Sequence, residues 1–260
     1  KAIKIEDDQA HIISDQCIVC GHCFTSCPQN ARNIHSDLDY VKEIIKNGEK
    51  VNVSIAPSFR GFYEKSNGFI WGLKKLGFNL IEETAVGADV TSRLYENYIS
   101  TTDQGIYITT CCPSVVLLIE KYYPMLIQYL MPFTSPMVSH GYLLKKDHPM
   151  EKTVFLGPCI SKKCESVSEK HKGSIDAVLT FDEVSEWLME EGIDFQGKES
   201  CDVDRFGSKF GSSYPVVGGI LEGIRESIED KGLTQLRIDG LDECMELFDE
   251  LSKGIITGTC

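Results

Sequence analysis

The sequence predicts an α/β fold of parallel-sheet βα units behind a small cysteine-dense segment, on three observations. From Lys50 onward, short β-rich runs alternate with amphipathic helical runs, the pattern of strands that cross over through helices into one sheet. Residues 1–47 lack that alternation, are polar, and hold four of the eleven cysteines. That contrast divides the chain into 1–47 and 48–260. The length of 260 residues is enough for a full core, as one large domain or one large and one small.

In chain order, the first strand-like run, 51–56, is followed by a helical pattern over 68–76, and the second, 78–82, by one over 91–99. The third, 106–109, precedes helical runs at 115–122 and 137–146. Strands at 152–156 and 177–180 lead to a helix at 182–191. A helix at 219–230, a strand at 234–238, a helix at 241–252 and a strand at 255–259 complete the pattern. In such folds ligands bind at the carboxyl ends of strands. Three clusters fall there: Ala56-Pro57-Ser58, Cys111-Cys112-Pro113 and Gly157-Pro158-Cys159. Loops of one sheet can face one hollow, so Cys112 and Cys159 are expected to meet in space.

Charge and cysteine usage narrow the function. Lys and Arg total 26 against 39 Asp and Glu, a net charge of −13, which argues against nucleic acid or an anionic membrane as partner. The apolar run 115–119 is cut by Glu120 and Lys121, well short of a membrane span. No leader pattern opens the chain at Lys1, so a reducing cytoplasm is expected and the cysteines read as ligands rather than disulfides. The chain ends at Cys260 directly after a strand-like run and reads as part of something longer.

Cys17, Cys20, Cys23 and Cys27, followed by Pro28, have the spacing C-x2-C-x2-C-x3-C-P. This is the bacterial ferredoxin spacing, in which tight loops aim thiolates at a 4Fe-4S cluster. Only one such run exists, so either Cys27 closes on the same cube or a remote ligand replaces it. Cys164, Cys201 and Cys244 have no partner spacing and read as structural or exposed thiols, with Cys201 or Cys244 open as a remote ligand. The glycine-rich 207–213 lacks the P-loop spacing, and 202–213 lacks calcium ligands at the required positions.

The run Thr109-Thr110-Cys111-Cys112-Pro113 resembles the TSCCP motif of the iron-only (FeFe) hydrogenases, and the run from Gly157 to Glu165 resembles their MPCxxKxxE motif. Ala56-Pro57-Ser58, Gly87-Ala88-Asp89, Ser135-Pro136-Met137 and Gly218-Gly219 agree in the family's order. The resemblance implies an iron-hydrogenase-like domain and reversible oxidation of H2 to protons at an H-cluster, a 4Fe-4S cube carrying a diiron subsite with CO, CN and dithiolate ligands. It implies Cys112 and Cys159 as cube ligands and Cys111 as the proton donor and acceptor. Lys162 would hold one cyanide, and Ser58 with the Ala56-Pro57 backbone the other. Glu165 would be the next proton station, with Ser135 and Gly157 bordering the cofactor. Electrons would leave through the Cys17–Cys27 cluster to a redox partner or signalling domain.

Gly157 stands where active members carry Met, Leu94 and Tyr95 fall where they carry a glutamate pair, and Met131 stands near the place of a serine. These departures resemble the sensory, low-turnover branch. The third cysteine motif is not reached before Cys260. A non-catalytic iron-sulfur binding or signalling module of the same ancestry is the alternative, and an electron-transfer ferredoxin fused to a scaffold a weaker third.

Overall fold

The computed structural model describes residues 2–29 and 31–256. Strands β1 (Ile3–Glu6) and β2 (Gln9–Ile12) form an antiparallel hairpin. Its two turn residues, Asp7 and Asp8, have φ of 51° and 58°, the paired left-handed conformation of a type I′ turn. The sequence reading had no hairpin there. After a single turn, α1 (His22–Thr25), comes α2 (Leu38–Lys46), which buries Val41 and Ile44 in the main core.

The central unit runs β3 (Val51–Ile55), the turn α3 (Phe59–Phe62), α4 (Ser66–Leu76), β4 (Leu80–Glu83), α5 (Ala85–Thr101), α6 (Pro113–Tyr122), α7 (Pro136–Asp147), β5 (Lys152–Leu156), α8 (Ser161–Ser166), β6 (Ala177–Leu179) and α9 (Phe181–Glu190). The strands form one parallel sheet in the order β4-β3-β5-β6. All five residues of β3 are buried, as expected of a sheet covered on both faces. The core includes an aromatic group in which Tyr63 stacks on Phe69 at 3.9 Å between centroids, with Phe181 and Phe195 edge-on to Tyr63. The carboxyl-terminal part adds α10 (Lys209–Ser212), α11 (Gly219–Glu222), α12 (Arg225–Asp230) and α13 (Leu241–Ser252).

The outer edge of β4 is closed by a distant segment. Glu83 N–H donates to Arg205 O at 3.0 Å and Asp204 N–H to Ile81 O at 2.7 Å, while the Asp204 carboxylate accepts from Ile81 N–H at 2.7 Å.

A buried polar group ties the sheet to α7. His140, fully buried, contacts Ser54 Oγ through Nδ1 at 2.8 Å and Glu82 Oε2 through Nε2 at 3.0 Å. Ser54 Oγ also meets Thr84 Oγ1 at 2.7 Å. These partners explain why a strand buried on both faces carries a serine: a buried hydroxyl is tolerated when its hydrogen bonds are made.

Helix α5 begins at Ala85, six residues before its expected start, because Gly87 is a contact point with α7 and not a break. A β-carbon on Gly87 would lie 2.2 Å from Pro136 O and 2.7 Å from His140 Cβ. Gly87→Ala is therefore expected to destabilise the fold by about 1–3 kcal/mol, measured by urea denaturation.

Two strand expectations fail and a third is covered only in part by the described residues. Residues 106–109 make one isolated bridge, Ile108 to Leu130, so this run pairs with the segment leaving the 3-10 turn Pro124–Tyr129 and does not join the sheet. Residues 234–238 form no strand, since their apolar side chains, Leu236 and Ile238 among them, line a cavity. Of 255–259, Ile255 and Ile256 are irregular and the others lie outside the described residues. The helix expected over 219–230 divides into α11 and α12 at Gly223 and Ile224; Ile224 has φ −125° and ψ 19°.

Candidate functional site

A cavity of about 630 Å³ opens between α6, α8, α13 and the segment 214–239, and its wall includes Cys111, Cys112, Cys159, Lys162 and Cys244. The first four lie in two sequence segments some fifty residues apart, yet they face one space. Cys112 is the residue before α6, extended at φ −100° and ψ 110°, and Pro113 opens the helix. The positive end of that helix therefore lies at Cys112 and favours negative charge there. Cys159 follows β5 and its sulfur lies 2.9 Å from Ser161 Oγ. The rest of the wall is mainly apolar, with Ile108, Met131, Ile220, Ile224 and Phe248 among it. Cys244, read from sequence as a structural or exposed thiol still open as a remote ligand, is on this wall, where α13 also contributes Leu247, Phe248 and Leu251.

Cys111 has the most elaborate surroundings. Its sulfur is 3.4 Å from Tyr95 Oη, and its carbonyl accepts from Lys162 Nζ at 3.1 Å. Lys162 is also paired with Glu165 at 2.7 Å. Burial pushes the Cys111 thiol up to about 11, opposed by the Tyr95 hydrogen bond and the Lys162 charge. Tyr95 is held well above the usual phenol range by burial, with the Cys111 charge next. The sequence marks Tyr95 only as a departure; its contact with Cys111 comes from α5 lying beside the 110–111 segment, which no spacing reveals.

The other expected residues divide. Ser135 and Glu165 line a second cavity of about 630 Å³ on the far side of Pro113 and Met131. Ser135 Oγ is buried there without a hydrogen-bond partner. Ala56, Pro57, Ser58 and Gly157 are not on the wall of the first cavity. Ala56 N–H donates to Leu156 O at 2.8 Å and Gly157 N–H to Leu179 O at 3.1 Å, so both loops do leave the same sheet end. A β-carbon on Gly157 would sit 2.7 Å from the Phe155 ring and 3.1 Å from Ala56 Cβ. Phe155 thus fills the place that a larger side chain at 157 would need.

The amino-terminal cysteines lean on the same region. Lys121 Nζ donates to Cys17 O at 2.7 Å and Tyr122 Oη to Gln16 O at 2.7 Å, which docks the run onto α6. Gly21, at φ 77°, faces the Ile160 side chain next to Cys159. Val19 has φ 56°, a strained conformation for a β-branched residue that bends the loop between Cys17 and Cys20. Backbone N–H groups approach two of the sulfurs, Val19 N–H to Cys17 at 3.4 Å and Ala31 N–H to Cys27 at 3.5 Å.

Among the described residues no three His, Cys, Asp or Glu side chains converge on a point that one metal ion could occupy. A 4Fe-4S cube sets a different requirement, because each of its irons takes its own thiolate and the ligands stand apart around it. Thiols spread around an apolar cavity wall fit that kind of group, and so, at the amino-terminal run, do amide hydrogens directed at the Cys17 and Cys27 sulfurs.

Residues 49–258 match the family described as "Iron only hydrogenase large subunit, C-terminal domain". The chain belongs to this family. Its relatives within the family include Iron hydrogenase 1 of Clostridium pasteurianum, 30% identical over 233 residues, covering 78% of this chain and 41% of that protein. The NADP-reducing hydrogenase subunit HndD of Solidesulfovibrio fructosivorans is 28% identical, covering 79% and 41%. The cytosolic Fe-S cluster assembly factor NAR1 of Yarrowia lipolytica is 25% identical, covering 81% and 50%. The chain therefore spans half or less of the length of these relatives. Among solved structures, apo FeFe-hydrogenase HydA1 from Chlamydomonas reinhardtii superposes with a TM-score of 0.58 at 22% identity, covering 80% of this chain and 61% of that one. That likeness shows the family's fold in this α/β chain. No helix among the described residues is long and apolar enough to cross a membrane.

Proposed function

We propose that this chain is a low-turnover, sensory-type iron-only hydrogenase domain, with an accessory 4Fe-4S cluster at Cys17, Cys20, Cys23 and Cys27 and an H-cluster in the cavity beside Cys111. The observation that carries this reading is the common cavity of Cys111, Cys112, Cys159 and Lys162. When bound, the H-cluster supplies the iron chemistry that divides H2 into protons and electrons. Cys112 and Cys159 hold its cube. The apolar wall keeps water from the reacting centre, and Lys162 brings a positive charge to a place where anionic ligands are expected. Cys111 relays the proton at its sulfur, giving up its own S–H proton toward Glu165 as it takes another, and Glu165, paired to Lys162, stands toward the second cavity. The Gly21–Ile160 contact brings the accessory run beside Cys159, which supports electron exit by that route to a redox or signalling partner in the cytoplasm.

A second reading, a non-catalytic iron-sulfur module, is favoured by Phe155 beside Gly157 and by relatives named as Fe-S assembly factors. Infrared spectroscopy after maturation separates the two. Carbonyl and cyanide bands that shift under hydrogen support the hydrogenase reading, and their absence selects the second. Cys111→Ala is expected to keep the iron content and lower hydrogen turnover at least about 100-fold, the scale of a lost acid-base group. Undiminished turnover would remove Cys111 from the proton role.

A further inference from the structure

The hydrogen bonds around Tyr95 have one consistent direction. Thr110 N–H donates to Tyr95 Oη at 2.9 Å. The Thr110 hydroxyl donates to Phe133 O at 2.7 Å, so its single proton is committed and Thr110 Oγ1 faces Tyr95 Oη, 3.1 Å away, as an acceptor. The phenol proton then goes to Thr110 Oγ1, and the remaining place on Tyr95 Oη receives the Cys111 S–H at 3.4 Å. The chain reads Cys111 S–H to Tyr95 O–H to Thr110 O–H to the Phe133 carbonyl. A backbone carbonyl has no proton to pass on, so the chain stops there. Tyr95 is fully buried, and its ring packs edge-on against Phe133 at 5.8 Å, which leaves the hydroxyl no second position in water.

We infer that Tyr95 is a positioning residue for Cys111, holding the thiol in a closed hydrogen-bond circuit that fixes its direction and conducts no proton away. The inference rests on the proposed role of Cys111 for its functional meaning, and on geometry alone for its existence. A proton on the Cys111 sulfur sits against a closed end on the Tyr95 side and must leave by another side of the thiol.

The test uses the purified chain before and after cluster loading. Before loading, the S–H stretching band of Cys111 is assigned by its loss in Cys111→Ala. In Tyr95→Phe, which keeps the ring, that band is expected to move to the higher frequency of a thiol that donates no hydrogen bond. Thr110→Val is the second variant. There the phenol proton loses its acceptor and turns toward the sulfur, and the same band is expected to move as well. A band unmoved in both variants overturns the inference. After loading, Tyr95→Phe is expected to lower turnover about tenfold, against the near-complete loss in Cys111→Ala. A loss as complete as that of Cys111→Ala would make Tyr95 a proton carrier and also overturn it. If no variant and no parent turns over hydrogen, the hydrogenase reading fails, and the S–H band still decides the role of Tyr95.

Discussion

Replacing Cys112 and Cys159 together by Ser is expected to remove about half of the iron and acid-labile sulfide that the chain takes up on reconstitution, the share of one 4Fe-4S cube out of two. Both thiols line one cavity, and the remaining cysteine run is bent and hydrogen-bonded as a separate unit. Serine is nearly isosteric, and Cys112 is exposed while Cys159 is only partly buried, so the fold is expected to survive. The double replacement of Cys164 and Cys201 by Ser is the control. Cys201 packs at the margin of the main core and Cys164 is exposed beside the second cavity, neither on the wall that Cys112 and Cys159 share, so the iron content of that variant is expected to stay unchanged. Equal iron in the Cys112/Cys159 variant and the parent would show that the cavity holds no cube through these sulfurs.

His140→Ala is expected to cost about 3–5 kcal/mol, a large part of a typical domain stability of about 5–15 kcal/mol. Removing the imidazole leaves Ser54 and Glu82 without their shared partner in the middle of the sheet. Among the described residues Glu82 then keeps Arg205, at 3.8 Å. A buried carboxylate that loses its nearest partner carries its full desolvation penalty. A cavity where α7 meets β3 adds to that. Urea denaturation measures it, and a loss below about 1 kcal/mol would mean the group contributes little. The Ser, His and Glu here resemble a hydrolase triad in composition, but Ser54 and His140 are wholly enclosed and face neither cavity.

The sheet was legible in the sequence because short β-rich runs stand before helical patterns: Val51, Val53 and Ile55 mark β3, and residues 154–156 and 177–179 are apolar stretches of β5 and β6. The same signal misled at 106–109 and 234–238, where apolar residues face a cavity or a neighbouring turn; hydrophobicity reports burial and not the partner. The hairpin at 3–12 escaped notice because Asp-Asp lacks the glycine that usually marks such turns, and its residues are exposed on both faces. At the site, the cysteine pair and the Gly-Pro-Cys loop were readable as motifs, and so was their expected meeting. What spacing could not give was the third dimension: Tyr95 beside Cys111, Cys244 across the cavity, and Phe155 in the room next to Gly157.

The segment that closes the edge of β4 also has a consequence for how the chain is made. Glu83 leaves the ribosome long before Arg205, roughly 6–24 s earlier at about 5–20 residues per second. Through that interval the amide of Glu83 and the carbonyl of Ile81, later bonded to Arg205 and Asp204, belong to an open strand border, the kind of surface that recruits strands from other chains. Nascent chains on one messenger are therefore most prone to cross-pair during those seconds, and slowing translation between β4 and residue 205 lengthens their exposure.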